Sequence, residues 1–145
     1  MAALLALAMA AAAPDFSLST LDGSRTVSLA DLPGPVLLNF WSGDCLPCVR
    51  ELPLLQAQST RLSGLRLVGI AIDQGSRAAP FARRAGTTYL QLAAPGNHAL
   101  LRRFGNTLGA LPYTVMLNRA HQVCTARMGM VDAQWLAKAA QACVQ

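Results

Sequence analysis

Apolar and polar residues alternate from Phe16 to Leu21, and this period of two predicts a strand. Asp22-Gly23 is a turn signal, and Arg25 to Leu29 can return as the second arm of a hairpin. Leu32 to Pro35 breaks the chain, and Val36 to Trp41 then runs apolar in the manner of a strand buried on both faces. From Leu46 to about Ser63 the period becomes helical, with Pro53 expected to kink the helix and Gly64 to stop it. Leu65 to Ile72 reads as a second buried strand. Ser76 to Ala85 reads as a helix closed by Gly86, Thr88 to Leu92 as a short extended piece, and Asn97 to Phe104 as a helix. Tyr113 to Leu117 and Gln122 to Met128 read as two further strands joined by a tight turn, Asn118 to His121. Asp132 is placed to cap a last helix from Ala133 to about Val144. Strands alternate with helices early, and an antiparallel pair with a helix closes the chain, so the fold class is α/β.

One short segment changes this from a fold into a chemistry. Cys45-Leu46-Pro47-Cys48 lies where the buried strand ends and the long helix begins. The first backbone N–H groups of a helix are unpaired and the helix dipole is positive there, so a thiolate at Cys45 is favoured. The thiolate is the nucleophile in disulfide exchange, and Cys-x-x-Cys between strand and helix reads as a redox motif.

The 145 residues suit one domain with a full core, and 53% apolar against 13% charged residues is a globular composition. The net charge of +5 comes from eleven arginines and Lys138 against seven acids. The arginines are scattered, with short pairs only at Arg83-Arg84 and Arg102-Arg103, so nucleic-acid binding is not a primary function. Residues 1–13 form an uncharged Ala/Leu-rich segment, too short to span a bilayer. It lacks the basic start of a complete secretory signal. The favoured reading is an export signal or anchor remnant preceding a domain at 14–145; an atypical complete signal and an added helix of the domain remain as alternatives. His98 and His121 stand apart from each other and from the cysteines, so no metal is expected. Met116, Met128 and Met130 read as core or rim.

Taken together, these residues resemble the extracytoplasmic thioredoxin-fold oxidoreductases of the TlpA/ResA/CcmG type. The resemblance runs over most of the chain from Ala13. Its parts are Ala13-Pro14-Asp15-Phe16, Leu21-Asp22-Gly23, Val27-Ser28-Leu29, Asn39-Phe40-Trp41 before the cysteine motif, Glu51-Leu52-Pro53 after it, and Gly109-Ala110-Leu111-Pro112. It implies a thioredoxin-like three-layer fold, a central mixed sheet flanked by helices, with an added N-terminal β-hairpin. It implies that Cys45 attacks and a buried Cys48 resolves. Pro112 would be cis and face the motif, and Leu111 would present backbone to a substrate strand; Leu46 and Pro47 are further groove candidates, as is Trp41, which also reads as packing beside the site.

There are departures. Asp44 stands before Cys45 where the family has tryptophan, and Asn39 stands where cytosolic thioredoxin carries a buried acid. Glu51 is a candidate substitute, although the resemblance implies a helix-surface position for it. Asp73 is a further candidate for tuning the cysteines, against a turn or cap role. Asp44 opposes a Cys45 thiolate, so the expected direction is reduction of protein disulfides without a bound cofactor, by a monomer fed from a membrane thiol relay. Cys124 and Cys143 fall on the last strand and last helix, which the resemblance packs together. They are either a structural disulfide or two buried cysteines acting as small apolar residues. The competing functions are a non-catalytic module binding partners through the Pro112 groove, a metallochaperone using Cys45 and Cys48, and a peroxiredoxin-like protein. Against the last, Leu38 replaces the proline of the peroxidatic pattern.

Overall fold

Seven strands form one mixed sheet in the order β2-β1-β5-β4-β3-β6-β7. The computed structural model describes residues 12–144, so the reading of residues 1–13 falls almost wholly outside the described residues. Ala12 and Ala13 are described, and both pair with the domain: Ala12 bridges Gln122, and the Ala13 N–H donates to the His121 carbonyl at 2.9 Å. Among the described residues no helix is long and apolar enough to cross a membrane.

The first strands, β1 (Ser17–Thr20) and β2 (Thr26–Ser28), make the expected hairpin around Asp22-Gly23. Gly23 sits at φ 71°, a conformation that glycine adopts without strain. The hairpin is continuous with the main sheet, because β1 pairs antiparallel with β5 (Leu90–Ala93). The extended piece expected at Thr88 to Leu92 is therefore a sheet strand, shifted toward Ala93.

β3 (Val36–Trp41) is buried along its whole length between parallel β4 (Arg66–Ala71) and antiparallel β6 (Tyr113–Leu117). Its side chains divide between two layers, as the strand period requires. Val36, Leu38 and Phe40 join Phe16, Leu101, Phe104 and Val115 in a core on the side of α3 (His98–Arg103). Leu37 packs on the opposite side with Leu55 of α1 (Leu46–Ser59) and Leu136 of α4 (Ala133–Cys143). Trp41 packs there too, with Cys48 and Leu52 of α1 and with Ala78 and Ala82 of α2 (Gly75–Arg84). The last strand, β7 (Val123–Met128), pairs antiparallel with β6.

Two helix boundaries differ from expectation for local reasons. α1 ends at Ser59, before Gly64, because the hydroxyls of Ser59 and Thr60 bond back to the carbonyls of Gln56 and Ala57 at 2.7 and 3.2 Å. Such bonds compete with helix propagation. Gly64, at φ 76°, instead makes the turn into β4. Pro53 is exposed and sits inside α1 without ending it.

Candidate active site

Cys45 is the N-cap of α1, and its Sγ accepts the Cys48 N–H at 3.2 Å. The sulfur thus satisfies one of the orphan donors of the first turn. Leu46 and Pro47 occupy the first two helical positions, where the N–H that proline lacks has no intrahelical partner to lose. Cys45 is half-buried, Cys48 is fully buried, and the two are disulfide-bonded with Cα atoms 5.2 Å apart.

The loop that presents Cys45 is held from β4. Asp73, just beyond that strand, accepts the Gly43 N–H at 2.8 Å and the Ser42 hydroxyl at 3.3 Å. Ser42 Oγ in turn accepts the Asp44 N–H at 3.2 Å. Gly43 packs closely on α2: a Cβ there would lie 2.5 Å from the Phe81 ring, which would have to move. Asp73 therefore ties the redox loop to the sheet, which is the turn-type role.

Asp44 is paired with Arg77 of α2, and both side chains are largely exposed. The isolated negative charge expected beside Cys45 is thus compensated. Nothing in the local pattern pointed to Arg77, which is 33 residues away.

Glu51 departs most from expectation. It is fully buried, not on the helix surface. Spacing carried the signal: Glu51 follows Cys48 by three residues and precedes Leu55 by four, which places all three on the buried face of α1. Its Oε1 accepts from Asn39 Nδ2 at 2.9 Å and its Oε2 from the Val131 N–H at 2.7 Å. Burial pushes its pKa above the ordinary value of 4.5; the Val131 and Asn39 bonds and the Arg127 charge pull the other way and only partly offset it.

Trp41 does not line a groove. As the last residue of buried β3 it has no exposed surface, and its indole N–H donates to Gln91 Oε1 at 2.9 Å. Leu46 (58% exposed) and Pro47 are open to solvent beside the cysteines. The Leu111–Pro112 bond is cis. Leu111 is half-buried against the cluster containing Cys48, and the Pro112 carbonyl accepts the Gly129 N–H at 2.8 Å. Cys124 and Cys143 are bonded to each other, tying β7 to the end of α4. A groove of about 670 Å³ between the hairpin and α2, lined by Arg25, Arg83 and Tyr89 among others, includes neither redox cysteine.

A mixed sheet between helical layers, with a Cys-x-x-Cys disulfide that starts at a helix N-cap and packs against the residue before a cis-proline, defines a thioredoxin-like thiol–disulfide oxidoreductase. The chain belongs to the AhpC/TSA family, whose model it matches over residues 9–138. It is 31% identical over 122 residues to the thiol-disulfide oxidoreductase ResA of Geobacillus thermodenitrificans, covering 81% of this chain and 68% of that one. It is 38% identical over 79 residues to the thioredoxin-like protein YneN of Bacillus subtilis, covering 53% of this chain and 46% of that one. The crystal structure of a DsbF homologue from Corynebacterium diphtheriae superposes with a TM-score of 0.78 at 28% identity, covering 92% of this chain and 87% of that one.

Proposed function

We propose that this chain reduces protein disulfides outside the cytoplasm, with Cys45 as the attacking thiol and Cys48 as the resolving thiol. The observation that carries this reading is the asymmetry of the pair: Cys45 is half-exposed at a helix N-terminus and Cys48 is fully buried behind it. Cys45 thiolate attacks a substrate disulfide, forms a mixed disulfide and releases one substrate thiolate. Cys48 then loses its proton and attacks Cys45 Sγ, which releases the second substrate thiolate. Two electrons pass from the protein dithiol to the substrate, and an external dithiol donor, a membrane thiol relay, restores the reduced state.

Glu51 is the proposed acceptor of the Cys48 proton. It shares the buried face of α1 with Cys48, and burial raises the proton affinity of its carboxylate. Leu46, Pro47, Leu111 and Pro112 form the proposed substrate groove. The proposed direction is reducing: the helix N-terminus favours a Cys45 thiolate, but Leu46-Pro47 supplies no cation between the cysteines and the nearby Arg77 is engaged by Asp44. A strong oxidant needs the opposite arrangement. A second disulfide outside the redox motif, Cys124–Cys143, supports an oxidising compartment.

The Cys45–Cys48 reduction potential tests the direction. A value near thioredoxin's, about −270 mV, supports a reductase, and one near DsbA's, about −120 mV, reverses it. A pair that cannot be cycled by dithiol and disulfide buffers moves the non-catalytic binding module to the front.

A further inference from the structure

Asn39 and Glu51 meet in the interior between β3 and α1, and the hydrogen bonds around them are not interchangeable. The Val131 N–H holds Glu51 Oε2 at 2.7 Å, and a backbone amide can only donate. A proton on that side of the carboxyl would face another donor. At the other oxygen the partner is Asn39 Nδ2, 2.9 Å from Oε1. A side-chain amide carries donors on one end and an acceptor on the other. Asn39 Nδ2 also donates to Thr114 Oγ1 at 3.2 Å, and a hydroxyl can accept or donate. Both groups on this side of Asn39 can therefore reverse polarity, whereas Val131 cannot. Asn39 is 1% exposed, and its Oδ1 has no hydrogen-bond partner.

We infer that Asn39 is a positioning residue that turns its amide end over end as Glu51 gains and loses a proton. With Glu51 ionised, Nδ2 donates to Oε1 and to Thr114. With Glu51 protonated, Oδ1 accepts from the Glu51 O–H and from the rotated Thr114 hydroxyl. Two hydrogen bonds stand on this side in each state, and in each state one end of the amide is left open. The proton resides on Oε1, the only carboxyl oxygen whose neighbour can accommodate it. Asn39 stands on the strand that leads into the redox loop, so the carboxyl can be loaded and unloaded without moving backbone. The charged and titratable groups coupled to Glu51 are Arg127 of β7, whose charge favours ionisation, and Tyr89 ahead of β5, whose own ionisation the Glu51 charge opposes; Cys48, on the same helix, is disulfide-bonded here and does not titrate.

This inference rests on Glu51 being the proton acceptor, but it is tested apart from that role. The oxidised protein has no Cys48 thiol, so a pH titration there reads Glu51 and Asn39 alone. Nuclear magnetic resonance would follow the Glu51 carboxyl carbon together with contacts from the Asn39 amide protons to Thr114 and to the Glu51 side chain. The expected result is that these contacts are strong on the alkaline limb and lost on the acid limb, with the midpoint of the carboxyl carbon. Contacts that persist while the carboxyl titrates would overturn the inference, as would contacts that change with a different midpoint or a carboxyl that does not titrate while the protein is folded. In Asn39→Leu both protonation states lose their partner together, so the Glu51 acid constant should move by less than about tenfold. A larger fall would mean a fixed donor serving the carboxylate only. The parent reading fails separately, if Glu51→Gln leaves the Cys48 thiol midpoint of the reduced protein unchanged.

Discussion

Asp73 accepts the Gly43 backbone N–H at 2.8 Å, so the residue two positions before Cys45 is anchored to the strand next to its own. The same carboxylate takes the Ser42 hydroxyl. Hydrogen bonds to charged acceptors contribute about 1.5–3 kcal/mol each at the strong end. Asp73→Ala is expected to destabilise the oxidised protein by about 2 kcal/mol and to slow insulin reduction, because Cys45 loses its fixed approach. Denaturant unfolding and the turbidity assay, run side by side, check both halves.

The Asp44–Arg77 pair gives a prediction about charge. Both side chains are exposed, so the pair adds less than about 1 kcal/mol to stability. Its effect on the neighbouring thiol is more readable. Arg77→Ala leaves Asp44 uncompensated and should raise the Cys45 pKa of the reduced protein. The rise should shrink as salt is added, since exposed charges are screened. Asp44→Asn in the same chain should cancel it. Thiolate absorbance against pH, at low and high salt, decides; a rise that survives in the double variant refutes the account.

Glu51 sets a pH dependence of stability whose sign can be worked out. Burial raises its folded pKa above the unfolded value of about 4.5. Below that value both states are protonated and Glu51 contributes no slope. As pH rises toward the folded pKa, the unfolded chain releases its proton first, so stability falls, and it levels once the folded group has ionised. Glu51→Gln should remove this decline and be relatively more stable at neutral pH. Unfolding free energies from pH 4 to 8 test it, and parallel curves for the two proteins would rule the linkage out.

Cys124–Cys143, at a sequence separation of 19, closes a loop between β7 and the end of α4. Replacing both cysteines with alanine should cost about 3 kcal/mol by the loop-entropy estimate. The Cys45–Cys48 potential should stay where it was, because this second bond lies against the α4 layer and outside the redox loop. Calorimetry and a redox titration on the same variant separate the two effects.

Strand and helix order were legible in the sequence because period and punctuation are local. Val36 to Trp41 and the Asp22-Gly23 turn show this: each is specified by its own residues. The end of α1 was less legible, because two hydroxyls bonding back to the helix outweighed a glycine four residues on. The burial of Glu51 was not legible for a different reason. A carboxylate is expected at the surface unless a partner is in view, and its partners, Asn39 and Val131, lie 12 and 80 residues away. Arg77 and the Trp41–Gln91 bond are likewise tertiary facts. The redox pair itself was the most legible feature, since its chemistry depends only on spacing and on where the helix begins.

The N-terminal hairpin has a consequence for association between chains. By pairing with β5 it moves the open margin of the sheet outward to β2, which is only three residues long. At the far side, the Ala12–Gln122 bridge adds one pairing just before β7, whose six residues form the other margin of the sheet. A long bare strand is a template on which other extended chains can add. A protein that handles disulfides in other chains must meet polypeptides that are partly unfolded, and on the hairpin side this one offers them little free strand on which to build an aggregate.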